Sequence, residues 1–258
     1  MFPLKDNIPT ERFPVVTVAL IALNVIAYFF FQHGTISLGD PSNDPAYVHN
    51  LWDYAYIPHE LTHGDQCLPQ GSTQVVCGDF KGLPATWITV FTAMFMHGGL
   101  FHLGGNMLFL WIFGNNVEDS MGPLRFIVFY LLAGLAADAA HIIPTIPIQS
   151  GADVPTLGAS GAVAGILGGY LLLFPQARVV TVIFIIFFFT ILEIPAILFL
   201  GIWILEQAVF AYFDLLQPTG EGGGVAYFAH IGGFLFGLLL IRLFASERRR
   251  LRQIERMG

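Results

Sequence analysis

The chain has 258 residues, 55% of them hydrophobic and only 11% charged, with a mean hydropathy of +0.68. That composition excludes an ordinary soluble domain, and the formal charge of −7 describes loops and tails rather than a partner. Apolar runs of about 18 residues or more read as membrane-spanning helices. The ten-residue alternating segments of a membrane barrel are absent.

The first apolar run is "PVVTVALIALNVIAYFFF", residues 14 to 31, behind a short head (1–13) with Lys5 and Arg12. No small-residue cleavage site follows it, so it reads as an uncleaved first span rather than a signal peptide. A polar segment over about 32–86 holds six acids (Asp40, Asp44, Asp53, Glu60, Asp65, Asp79) and one base, Lys81. It also holds Cys67 and Cys77, which in an oxidising compartment can pair to close a short loop; two unpaired thiols are the alternative. The second run is centred on 100–117 and the third on 126–143. The fourth is "TLGASGAVAGILGGYLLLF", residues 156 to 174.

Residues 179–213 are apolar but too long for one span, and Glu193 and Pro195 interrupt them. They hold either two spans, or one span over about 195–213 behind an interfacial or re-entrant segment at 179–192. The last run is 225–244. The tail from 245 to 258 carries five arginines, which the positive-inside rule keeps cytoplasmic. Lys5 and Arg12 put the N-terminus on the same side. Two ends on one side require an even number of spans. The fold class expected is therefore all-α, a polytopic six-transmembrane-helix bundle with the acidic segment outside.

On this topology the second, fourth and sixth spans enter from outside, each with polar residues in its early turns. His102 and Asn106 are four apart and share a helix face; Ser160 and His230 lie on the other two spans. Each sits roughly 5–10 Å below its helix start, with Asn106 a turn deeper. Ionisable groups in a membrane face a bundle interior or a wet cavity. Gly158, Gly161, Gly165 and Gly169, with Gly233 and Gly237, let backbones approach closely, which brings Ser160 within reach of His230. A serine hydroxyl is a weak nucleophile until a base takes its proton, and neutral imidazole suits that task. His102, Asn106 and the backbone N–H of Ser160 are then candidate oxyanion donors. The chemistry implied is acyl transfer to water. Taken singly, each of these residues is more ordinary as helix-packing or hydrogen-bonding material.

"HGGLFHLGGNMLFLWIFGNNVEDSMGPLRF", "GASGAVAGILGGY" and "AHIGGFLFG", in that order over about 87–244, resemble the rhomboid intramembrane serine proteases, bacterial six-span type. The resemblance implies a six-helix bundle with a cavity open to the outside and a Ser160–His230 dyad. It further implies an oxyanion site from His102 and Asn106, and a structural His97. The fifth span and outer loop would act as gate and cap. The partners implied are the lipid bilayer and membrane-anchored protein substrates cut in or near their transmembrane segments, with no nucleic acid, no metal and no cofactor. The location expected is a bacterial plasma membrane with both termini cytoplasmic. Two features depart from the pattern. Ala164 stands where some bacterial members have an aromatic residue stacked on the histidine, and the outer loop has Trp52 but no arginine for the Trp-Arg pair of some members.

Other polar residues have plainer readings. Asp138, three before His141, invites a Ser–His–Asp triad, but an Asp–His pair on one helix face or a water contact is the simpler account; Asp214 has a weaker claim. Glu118, Asp119 and Arg125 flank an inner turn as helix-end charges or a local ion pair. His33, His49, His59 and His63 lack metal-ligand spacing. An inactive rhomboid-like client-holding protein and a transporter are the competing functions. Intact Ser160 and His230 argue against the first, and the absence of a convincing repeat against the second.

Overall fold

The computed structural model describes residues 1–36, 41, 44–70, 74–80, 82–148, 152–185, 188–216 and 225–255. Asp40, Lys81 and the last three residues of the tail lie outside them. The chain is mostly helical. A short strand β1 (Phe2–Asp6) precedes α1 (Val15–Ile26), which runs on through a π-turn over Ala27–Phe31. The polar segment then folds into α2 (Pro45–Tyr54), α3 (Pro58–His63), an antiparallel hairpin of β2 (Gln66–Gln70) and β3 (Gln74–Gly78), and α4 (Thr86–Ala93). A disulfide joins Cys67 to Cys77 directly across the hairpin, closing a loop of sequence separation 10.

The bundle itself begins with α5 (Leu100–Phe109), continuous through a π-turn at Leu110–Gly114 with α6 (Asn115–Met121). Gly122 stops that rod at φ +88°, and Pro123 starts α7 (Pro123–Ile148), the usual order of a glycine past one helix end and a proline at the next start. Then come α8 (Ser160–Leu173), α9 (Ala196–Leu216), α10 (Tyr227–Phe244) and the basic α11 (Glu247–Glu255). By length and composition Pro123–Pro144, Ala196–Leu216 and Tyr227–Phe244 are long and apolar enough to cross a membrane; Val15–Phe31 and Ser160–Leu173 are apolar but shorter. Large apolar side chains such as Leu198, Leu205, Leu239 and Leu243 face outward, an arrangement that suits lipid and not water.

The all-α expectation needs a correction at 179–192. Of the two readings the two-span one fails, and a single helix follows as on the one-span reading; the segment before it, expected as interfacial or re-entrant, is not helical: β4 (Arg178–Ile185) and β5 (Phe188–Pro195) form an antiparallel hairpin, and β1 pairs with β4 on its other side. The local reason is visible in "VVTVI", five consecutive β-branched residues from Val179 to Ile183, which are stiff at χ1 and favour strands. Pro195, which has no N–H to give to the sheet, ends the hairpin where α9 begins. One helix, not two, therefore follows.

The bundle is organised around α8, most of which is buried. Its glycines explain why. A Cβ on Gly161 would stand 2.5 Å from Ala137 Cβ, and one on Gly165 2.5 Å from Ala133 Cβ, both on α7. On the α10 side, a Cβ at Gly168 would strike Phe234 O, one at Gly233 would strike Gly161 O, and one at Gly237 would strike Gly165 O. α8 and α10 thus touch backbone to backbone, closer than any side chain allows. Tyr28, Phe113, Phe129, Tyr130, Tyr170 and Phe174 fill the remaining core.

Both chain ends meet on one face. Arg252 pairs with Glu11 at 3.3 Å, and Gln253 reaches Asn116 O at 3.3 Å. Polar side chains here cap helices other than their own. Glu118 accepts from Val16 N (3.0 Å), Thr17 N (2.8 Å) and Thr17 Oγ1 (2.7 Å), satisfying the free amides at the start of α1. Asp119 accepts from Glu11 N at 2.6 Å, and Arg125 donates to Phe244 O at 3.2 Å at the end of α10. Of the two expectations for Glu118, Asp119 and Arg125, helix-end charges fit and a local ion pair does not: their contacts are long-range.

Candidate active site

Ser160 is the first helical residue of α8, which corrects its expected depth inside the helix. The chain before it is extended: Tyr56 and Thr156 bond backbone to backbone, and Gly158 N donates to Ala93 O at 2.9 Å. Gly158 takes φ +128°, a conformation open to glycine and strained for other residues. Helix therefore cannot start before Ala159. His102 is the third residue of α5 and His230 the fourth of α10, so three helix mouths converge on one level.

The α8–α10 glycine seam sets Ser160 beside His230, with Oγ 2.8 Å from Nε2. The other ring nitrogen, Nδ1, is 2.7 Å from Oε1 of Gln207 on α9. Trp203, one turn earlier on the same helix face, lies with its ring centroid 5.9 Å from that of His230 at 35°. These two residues occupy the role that Ala164, fully buried on α8, leaves open. Sequence reasoning missed Gln207. Its only signal was an amide in an otherwise apolar run, next to the more conspicuous Glu206, which is exposed while Gln207 is buried.

His102 borders the same space. Gly98 N–H donates to its Nδ1 at 3.2 Å, which puts the proton of the neutral ring on Nε2. A Cβ on Gly158 would lie 2.9 Å from that Nε2 and 3.5 Å from Ser160 Oγ, so serine and donor flank one small opening that only glycine leaves free. Asn106, one turn further along α5, is buried and its Nδ2 has no hydrogen-bond partner among the described residues. Ser160 also opens α8, and first-turn amides have no acceptor inside their own helix. His102 Nε2 and His230 Nε2 thus both lie close to the Ser160 hydroxyl.

His97 stands behind this arrangement. Gln32 grips its backbone at both groups, Nε2 to O at 2.8 Å and N to Oε1 at 2.9 Å, and the Tyr47 hydroxyl donates to the same carbonyl at 3.0 Å. Its ring meets that of His102 edge to face at 5.2 Å. Asp138 and His141 both lie against Tyr56, and Asp214 lies near Tyr227. The place of a third triad member at Nδ1 belongs to Gln207.

The loop histidines are engaged locally. His49 lies 3.0 Å from Asp53, and His59 stacks on His63 with centroids 4.1 Å apart. His59, Cys67 and Cys77 form one cluster with metal-ligand proximity, but the two sulfurs are bonded to each other and offer no thiolate. In the same loop Glu60 accepts from Cys67 N at 2.7 Å, while burial pushes its carboxyl above the ordinary range.

The Rhomboid domain family matches residues 84–247, and the chain belongs to that family. It is 29% identical over 173 residues to Rhomboid protein 1, mitochondrial, of Saccharomyces cerevisiae, covering 66% of this chain and 46% of the relative. It is also 29% identical over 147 residues to the human Presenilin-associated rhomboid-like protein, mitochondrial, covering 56% of this chain and 34% of that protein. Against Rhomboid protease GluP of Bacillus subtilis it is 36% identical over 85 residues, 33% of this chain and 15% of the relative. The chain thus spans less than half the length of each. The two mitochondrial proteins match over far longer stretches than the bacterial one. That overturns the expectation of a bacterial-type member in a bacterial plasma membrane: hydropathy and span length carry no address.

Proposed function

We propose that the chain is an intramembrane serine endopeptidase that cuts membrane-anchored proteins in or near their transmembrane segments. The observation that carries this reading is the 2.8 Å approach of Ser160 Oγ to His230 Nε2. Ser160 Oγ attacks the scissile carbonyl carbon while its proton passes to Nε2. The developing oxyanion is met by the Asn106 amide, His102 Nε2–H and the amides opening α8. His230 then protonates the departing amine, and water, deprotonated by the same nitrogen, releases the acyl group from Ser160.

Six bundle helices, α1, α5–α6, α7, α8, α9 and α10, are proposed as the spans. The 14 residues of α8 extend only about 21 Å, short of the roughly 30 Å hydrocarbon core. Its mouth, with Ser160, then lies below the membrane surface at the foot of the 152–159 stretch. Irregular backbone at such a depth suits a water-lined cavity. With the mitochondrial relatives as support, the membrane proposed is mitochondrial.

The test is labelling of the reconstituted chain with a serine-directed fluorophosphonate, together with cleavage of a single-span substrate. Ser160→Ala should lose both while the protein stays folded. Labelling that survives the substitution would mean another serine reacts. A folded wild type that does not label at all would be an inactive, client-holding member.

A further inference from the structure

We propose that Gln207 is the positioning residue of this site, holding His230 in the one tautomer and orientation that lets it act as a base. The proposal rests on the Ser160–His230 reading. To accept the serine proton, Nε2 must carry its lone pair toward Oγ, so the neutral ring must keep its proton on Nδ1. A proton there needs an acceptor, and Gln207 Oε1 stands 2.7 Å away. The opposite amide orientation would aim N–H at Nδ1 and drive the ring proton to Nε2, which would then donate to Ser160 and could accept nothing.

Three further observations favour this assignment. Gln207 is only 7% exposed, so its bond to His230 is sheltered from water. An amide supplies the acceptor without the desolvation cost of a buried carboxylate, and the candidate acids Asp138 and Asp214 contact other groups. Trp203, on the same face of α9, lies 5.9 Å from His230 and 6.0 Å from Phe234, the residue one turn further along α10. Gln207 thus fixes one ring edge while Trp203 limits tilt of the ring plane. Residues 203 and 207 of one helix interlock with 230 and 234 of the next. The base is oriented by α9, a helix that otherwise turns Leu198, Leu205 and Tyr212 outward. Displacing α9 would remove the Nδ1 partner and leave the two tautomers free to exchange.

The wild-type chain, reconstituted with ¹⁵N-histidine at pH 8, should give a His230 spectrum of the Nδ1–H tautomer; the Nε2–H tautomer overturns the proposal. Gln207→Met, of similar volume and without the acceptor, should lower the maximal fluorophosphonate labelling rate of Ser160 by roughly 10²-fold, the lower end of what a positioned acid–base group contributes. The half-saturating probe concentration should stay within about twofold, and Gln207→Glu, which restores an acceptor, should recover most of the rate. A Gln207→Met rate equal to wild type overturns the proposal. Should that variant fail to fold, the wild-type tautomer still decides. Failure of the dyad reading looks different: the wild type itself would not label at Ser160.

Discussion

The two ends of the bundle engage their polar side chains differently. At the face carrying the termini, Glu118 accepts three hydrogen bonds from the start of α1, Asp119 accepts from Glu11 N, and Asp6 accepts from Tyr170 Oη at 2.5 Å and Asn116 Nδ2 at 2.6 Å. At the opposite face, Asn106 Nδ2 and both ring nitrogens of His97 are buried without partners among the described residues. Buried polar groups are ordinarily satisfied, because leaving one unpaired costs about 1–3 kcal/mol. At the terminal face Asn116 Oδ1 and Gln253 Oε1 are likewise unpaired among the described residues, but the carboxylates of Asp6, Glu118 and Asp119 are bonded and lock helices together. At the site face the unpaired groups include a donor, Asn106 Nδ2, and on the proposed mechanism such a donor can bond in the transition state. The comparison separates carboxylates that hold helices together from a donor that the proposed chemistry would use.

Substitutions at the two faces should therefore fail in different ways. The largest effect is expected from His230→Ala, with a loss of roughly 10³-fold or more in cleavage and no loss of folded protein; near-wild-type cleavage would remove the base. Asn106→Ala should cost about 10²–10³-fold in cleavage, the scale of one oxyanion donor. It should leave the thermal midpoint unchanged, since Nδ2 has no bond to lose. A fall in Tm without a fall in rate would make Asn106 structural.

Glu118→Ala should do the reverse. Orphaning the amides that open α1 should destabilise the fold by about 2–3 kcal/mol, read as a lower Tm, while Ser160 labelling per folded molecule holds. The smallest effect concerns Asp6. Burial pushes its carboxyl from the ordinary 3.8 up to about 6, partly offset by the bond from Tyr170, so the folded chain favours the protonated acid. That stabilisation is whole below about pH 4 and is lost as the pH rises through about 6, on the order of 2 kcal/mol. Asp6→Asn should flatten the dependence of Tm on pH across that window. An unchanged slope would assign it to another group.

Much of the bundle was legible because its signals are local. Apolar runs marked the helices, and glycines four apart on 161, 165 and 169 marked the α8 face that meets its neighbours. His102 and Asn106 were placed on one face by spacing alone. The hairpin at 178–195 is not legible because an apolar run looks alike as strand or helix until its partners are present, and β4 is held between β5 and β1, the latter more than 170 residues away. Glu118 and Arg125 read from sequence as helix-end charges or a local ion pair, and which helix ends they cap depends on distant sequence. Mitochondrial relatives overturned the location because the spanning plan is the same in any bilayer.

The sequence by itself determined that this chain is a helical membrane protein with a serine, two histidines and an asparagine in the early turns of its apolar runs, since hydropathy and helical period are properties of neighbouring residues. Only the tertiary structure decided that the chain after α8 turns into a sheet and that Ser160 opens its helix rather than lying within it. It also decided that His230, lacking an aromatic at Ala164, is held by Gln207 and Trp203. Each of these depends on contacts between segments far apart in the chain, and a hydrogen bond across 23 or 70 residues leaves no period in the sequence to read.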